Sequence, residues 1–223
     1  MKTYGKKLLA CGVVLVIVFG IWTCLIQLID VRNVGVNGTS IGFARLNMWF
    51  HSETGVNITL YKITDWLGLV PVFLCILFAL LGIVQMIRRK NLFKVDADII
   101  FLGIYYVLVI AGYLIFEMFP INYRPILIDG FMEVSYPSST TLLVLTVMPT
   151  LNFQINRRVK NKTICEIVCI FTVLFSAFMV IGRLISGVHW LTDIVGSCFF
   201  SAGLFYIYKA VVILWNSEKS FSN

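Results

Sequence analysis

Residues 182–197 read GRLISGVHWLTDIVGS. An arginine, a histidine and an aspartate stand close together there, yet apolar runs extend away on both sides, over residues 164–185 and 188–214. A helix needs about 20 mostly apolar residues to cross the hydrocarbon core of a bilayer. The stretch therefore reads as a tight polar turn joining two membrane helices, and that reading sets the fold class for the whole chain.

Working outward, four more runs have the same character, at residues 8–29, 66–87, 97–119 and 136–155, and the first two of these four carry no charged residue. Of the 223 residues, 59% are hydrophobic and only 13% are charged, a balance foreign to soluble domains and usual for membrane bundles. The expected architecture is an all-α integral membrane protein, a six-transmembrane-helix bundle, formed as a single domain over residues 1–223. The N-terminal MKTYGKK and the run after it exceed a signal-peptide core and lack a small-residue cleavage site, so they read as an uncleaved first span.

The net charge of +7 could suggest a nucleic-acid partner, but its placement argues against one. Basic residues cluster at Lys2/Lys6/Lys7, at Arg88/Arg89/Lys90/Lys94, at Arg157/Arg158/Lys160/Lys162 and at Lys209/Lys219. With six spans, all four clusters fall on one side, which the positive-inside rule makes cytoplasmic, together with both termini. Arg32, Arg45, Lys62, Arg124 and Arg183 then lie outside or at its rim. The six cysteines all fall within expected spans, without metal-ligand spacing to histidine, and read as small packing residues.

This topology gathers Arg124, the hydroxyl run Ser138–Thr141, Arg183, His189 and Asp193 on one membrane face. Polar groups at that depth usually face a bundle interior or a water-filled cavity. His189 and Asp193 are four apart at a helix start, hence on one face. A carboxylate there can fix the imidazole tautomer and free the second nitrogen to attack, or the pair can simply cap the helix. Arginine suits bidentate capture of phosphate oxygens, although a lone Arg183 could equally snorkel to headgroups. Pro125 restricts Arg124 toward extended geometry. PSSTTLL, opening the fourth span, signals a helix start; its free N–H groups attract anions, or its hydroxyls merely cap. Together these features make a phosphate site with a nucleophile.

At this point the sequence resembles the type 2 phosphatidic acid phosphatase family of membrane lipid phosphatases, which has six spans and the motifs KxxxxxxRP, PSGH and SRxxxxxHxxxD. GRLISGVHWLTD matches the third, with Arg183, His189 and Asp193 in register and Gly182 in place of the serine. EMFPINYRP matches the first in Arg124 and Pro125, with Glu117 where lysine is expected. PSST matches the second in Pro137 and Ser138, with Ser139 for glycine and Thr140 for histidine. The loop GVNGTSIGFARLNMWFH and the stretch LYKITDWLG also resemble bacterial members.

The resemblance implies that His189 is the nucleophile and forms a phosphohistidine, that Asp193 orients it, and that Arg183, Arg124, Ser138, Ser139 and nearby backbone N–H groups hold the phosphoryl oxygens. It implies no metal and no cofactor, a lipid phosphate as substrate in the bilayer, and a site facing outward from a bacterial plasma membrane. Thr140 is a poor acid, and a basic alkoxide leaves badly without a proton, whereas phosphate leaving a diphosphate does not need one as much. The expected activity is hydrolysis of a lipid phosphate or diphosphate such as undecaprenyl diphosphate. Glu117, if desolvation raises its pKa, is a substitute acid; it could instead pair with Arg124 or Arg183. Two alternatives stand beside hydrolysis: transfer of the phosphoryl group to another acceptor, and lipid-phosphate binding or transport without chemistry.

Overall fold

The computed structural model of this chain describes residues 2–222; Met1 and Asn223 lie outside the described residues, as do the side chains of 219–222, Lys219 among them. Among the described residues there are eight α-helices and no strand ladder, only isolated bridges. They are α1 (Lys2–Leu28), α2 (Ala44–Thr54), α3 (Ile58–Leu67), α4 (Leu69–Arg89), α5 (Ala97–Met118), α6 (Ser139–Arg158), α7 (Lys162–Ile185) and α8 (Leu191–Ser222).

Among the described residues, five segments are long and apolar enough to cross a membrane: Lys2–Leu28, Ile58–Arg89, Ala97–Met118, Lys162–Ile185 and Leu191–Glu218. The sixth run expected from sequence, 136–155, becomes α6, which falls short on hydropathy. The reason is its position. It packs against α4, α5, α7 and α8, and Thr140, Thr141, Thr146, Thr150 and Gln154 on it are all buried. A helix enclosed by protein need not be apolar if its polar groups find partners. They do: Thr146 Oγ1 donates to the Leu142 carbonyl at 2.7 Å, Thr150 Oγ1 to that of Val147 at 2.7 Å, and Gln154 Nε2 to Tyr208 Oη at 2.5 Å.

The longest contact runs between α1 and α8. The buried positions of α1 are Gly5, Gly12, Phe19 and Ile26, seven residues apart, the repeat that keeps one seam facing one partner. At the centre the backbones nearly touch, since a Cβ on Gly12 would lie 2.8 Å from the Gly203 carbonyl oxygen. Small residues allow such close approach, and the packing it permits holds membrane helices together. Phe19 stacks on Phe200 at 4.5 Å, and Trp22 Nε1 donates to the Thr192 carbonyl at 3.1 Å.

These contacts make α1 antiparallel to α8 and put the start of α1, with Lys2, Lys6 and Lys7, beside Leu214. Arg89, Lys94, Arg157 and Arg158 share a cavity with Trp215 at that same end. The basic clusters thus gather at one end of the bundle, and the turn carrying His189 sits at the other. All six cysteines are free; Cys11 and Cys24 are exposed on α1 rather than packed inside.

Gly12→Leu should lower the thermal midpoint of the detergent-purified protein, at a cost of about 1–3 kcal/mol for forced overpacking. Gly20→Leu on the same helix, where an added Cβ meets nothing within 4 Å, should leave it unchanged. Equal melting of the two variants would contradict the seam.

Candidate active site

The segment between α5 and α6 folds back on itself as a short hairpin. Asp129 and Gly130, both with positive φ (49° and 84°), close it, as a two-residue turn between antiparallel arms requires. Ile128 and Phe131 exchange backbone hydrogen bonds at 2.9 and 3.0 Å, the Arg124 N–H reaches the Glu133 carbonyl at 3.0 Å, and the Ser135 N–H reaches that of Asn122 at 2.9 Å. One hairpin therefore delivers Asn122, Arg124, Glu133 and Ser135 in fixed register to the end of the bundle.

His189 meets this hairpin in the turn between α7 and α8. Gly187 makes the turn possible: its φ is +70°, and a Cβ there would lie 1.9 Å from the Gly55 carbonyl oxygen. The imidazole Nδ1 lies 3.1 Å from the Ser135 carbonyl oxygen. A carbonyl only accepts, so Nδ1 carries the hydrogen and Nε2 holds the lone pair. Nε2 is buried and has no hydrogen-bond partner. Burial pushes the imidazole pKa down to about 4; the Asp193 carboxylate opposes that shift, and the positive charges of Arg124 and Arg183 add to it. The ring is neutral at ordinary pH, with Nε2 uncommitted among the described residues.

Asp193 is fully buried and lies 3.8 Å from Nδ1, a charge contact rather than a hydrogen bond. Its oxygens are taken elsewhere. One accepts from the Trp190 N–H at 2.9 Å, the other from Asn122 Nδ2 at 3.0 Å. The first bond caps α8 in the manner of a third-position acidic residue reaching back to the helix start. Of the two sequence readings of Asp193, the helix cap has a structural counterpart; the imidazole hydrogen goes to the Ser135 carbonyl instead, and the carboxylate is a charge beside the ring.

Arg183 is buried, with Nη1 3.6 Å from an Asp65 oxygen, and its Nε lacks a partner. Arg124 is 7% exposed; its Nε lies 3.0 Å from a Glu133 oxygen without hydrogen-bond alignment, and its Nη1 lacks a partner. The Tyr61 ring serves both guanidiniums, its centroid 4.7 Å from Arg183 and 5.6 Å from Arg124. Two guanidiniums near one aromatic ring thus keep donors unspent among the described residues, the type of group that suits capture of an anion.

A cavity of about 240 Å³ opens here, lined among others by Tyr113, Glu117, Arg124, Glu133, Ser139 and His189. Of the residues singled out by sequence, it joins His189, Arg124, Ser139 and Glu117. Glu117 is exposed at its rim, and the ion pairs of Arg124 and Arg183 run to Glu133 and Asp65 instead. Ser138 and Thr140 do not line it. The Ser138 hydroxyl donates to Thr141 Oγ1 at 3.1 Å, and Thr140 is buried with its methyl beside Gly68. Gly182 stands where a serine was expected because a Cβ there would come within 2.7 Å of the Thr64 methyl. Among the described residues no three His, Cys, Asp or Glu side chains converge to hold a metal ion.

Sequence reasoning missed Tyr61, Asp65, Asn122, Glu133 and the Ser135 carbonyl. Only the hairpin that brings three of these had a local signal, the Asp129-Gly130 pair.

Residues 113–217 match the family model of the PAP2 superfamily, whose members are phosphatases. No curated protein matches the chain. Among solved structures, the crystal structure of the first transmembrane PAP2-type phosphatidylglycerolphosphate phosphatase from Bacillus subtilis superposes with a TM-score of 0.64 at 17% identity, covering 93% of this chain and 96% of that one. That likeness establishes the shared fold.

The depressed imidazole pKa has a cost in acid. The unfolded ring takes up its proton near 6.5 and the folded ring only near 4, so the unfolded chain gains protons first and stability falls as pH drops through that window. His189→Gln should flatten the decline of the thermal midpoint between those values. An unaltered pH profile would contradict a buried neutral imidazole.

Proposed function

We propose, for a chain whose residues 113–217 match the family model of the PAP2 superfamily, hydrolysis of a phosphate or diphosphate lipid through a phosphohistidine on His189. The observation that carries this reading is the buried, unpartnered Nε2 of His189 at a cavity it shares with Arg124. The Nε2 lone pair attacks phosphorus and a P–N bond forms. The bond to the leaving oxygen breaks, and its electron pair stays on that oxygen. Nδ1 keeps its hydrogen, so the phosphorylated ring is a cation. The Asp193 carboxylate 3.8 Å away and the Ser135 carbonyl at 3.1 Å stabilise that charge. Water then attacks phosphorus, and the P–N electrons return to Nε2. Arg124, with Arg183 behind Tyr61, balances charge growing on the phosphoryl oxygens. Ser138, Ser139 and the start of α6 are the proposed further contacts.

The site holds no histidine at position 140, so protonation of the leaving oxygen is its weak step. A diphosphate lipid, such as undecaprenyl diphosphate, releases a weakly basic phosphate and suits such a site better than a monoester. Glu117, on the cavity rim, is the proposed proton source for the more basic leaving groups.

The gathering of basic clusters at the end opposite His189 supports a six-helix arrangement with α6 as the enclosed span, both termini in the cytoplasm and the cavity facing outward across a bacterial plasma membrane. The burial of Thr140 away from the cavity favours one second reading, a lipid-phosphate binder without turnover.

Phosphate release by the purified protein decides between them. The proposal expects faster release from undecaprenyl diphosphate than from phosphatidylglycerolphosphate. It also expects a loss of about 10³-fold or more in His189→Ala and about 10²–10³-fold in Arg124→Gln. Turnover unaffected by His189→Ala contradicts the mechanism, faster monoester release contradicts the diphosphate preference, and full activity in Glu117→Gln removes the acid role.

A further inference from the structure

The end of the bundle opposite His189 holds a cavity of about 750 Å³. Four cations line it, Arg89, Lys94, Arg157 and Arg158, against two carboxylates, Asp96 and Asp98. Asp98 takes Arg158 Nη1 at 2.8 Å and Arg157 Nε at 3.3 Å; Asp96 takes Arg89 Nη1 at 2.8 Å and lies 3.7 Å from Arg158 Nη2. The arginines are thus fixed in place by the two carboxylates, and positive charge remains in excess. Lys94 is exposed and has no ion pair among the described residues. An internal salt-bridge network explains the arginines, but neither the open volume nor the extra cation.

A second space adjoins the first. A groove of about 280 Å³ runs between α4 and α5, lined by apolar side chains including Phe78, Met86 and Leu102, and Val95 and Ile100 line both spaces. Two glycines keep it open: Gly82 and Gly103 both line it, and a Cβ on Gly103 would meet nothing within 4 Å. Both helices belong to segments long and apolar enough to cross a membrane; in a bilayer the groove would meet acyl chains and the cavity at the helix ends would meet headgroups.

From this juxtaposition of a positively charged polar cavity and a continuous apolar groove, we propose a second lipid site, for an anionic phospholipid of the leaflet opposite the one His189 faces. The headgroup phosphate sits against Lys94 and the arginines, and one acyl chain lies in the groove past Gly103. A soluble phosphate would use the cavity and leave the groove without purpose. A zwitterionic lipid would fit the groove and leave the excess charge unmatched. Juxtamembrane cations of this kind attract anionic headgroups.

The test is lipid binding to the delipidated, detergent-purified full chain, read by native mass spectrometry. The probe is phosphatidylglycerol, a phosphodiester with no terminal phosphate to remove; phosphatidylcholine and glycerol phosphate are the comparisons. Phosphatidylglycerol should bind more tightly than either. Lys94→Glu, which replaces an ammonium that has no ion pair among the described residues, should weaken phosphatidylglycerol binding about tenfold and leave phosphatidylcholine unchanged. Gly103→Leu, which fills the groove, should weaken both lipids. Phosphate release should be unaltered in both variants, and binding should survive Arg124→Gln. Unchanged phosphatidylglycerol binding in Lys94→Glu and Gly103→Leu overturns the proposal. So does equal affinity for glycerol phosphate, or loss of binding in Arg124→Gln, which would place the lipid at the His189 cavity instead.

Discussion

A buried carboxylate is tolerable only when its oxygens are satisfied, and at the His189 end of the bundle Asp193 is the group whose satisfaction ties the parts together. It accepts the Trp190 N–H and so starts α8. It accepts Asn122 and so anchors the hairpin between α5 and α6. Its remaining field falls on His189. Remove that carboxylate, and the helix start, the hairpin and the imidazole lose their common fixed point. Uncompensated polar burial would then replace a complete network.

From that anchor the electrostatics follow. The hairpin held by Asn122 also carries Ser135, whose carbonyl takes the Nδ1 hydrogen, and Arg124, which faces the same cavity as His189. The Arg124 and Arg183 guanidiniums both lie near the Tyr61 ring, and each keeps buried nitrogens without a hydrogen-bond partner among the described residues. Burial and those two charges keep the imidazole neutral. A neutral imidazole thus stands with two guanidiniums that have donors to spare, the combination that the proposed phosphoryl transfer to nitrogen uses.

The bundle was largely legible from hydropathy because five of its segments, among the described residues, are long and apolar enough to cross a membrane. α6 was harder to classify because enclosure relieves it of the need to be apolar; Thr146 and Thr150 donate to carbonyls of α6 itself, and Gln154 donates to Tyr208. The third motif was legible because a turn fixes its spacing locally. Tyr61, Asp65 and Asn122 were not, because their roles depend on which distant segments meet, and no local period records that. The expected hydrogen bond between His189 and Asp193 became a charge contact for the same reason: remote Asn122 and the Trp190 N–H occupy the carboxylate.

The role proposed for His189 is tested most directly by trapping. Turnover of a lipid labelled in its terminal phosphate, quenched in alkali to preserve a phosphohistidine, should leave acid-labile label on a peptide containing His189. The label should be absent from His189→Ala. Label on any other residue, or steady turnover with His189 replaced, would contradict the account.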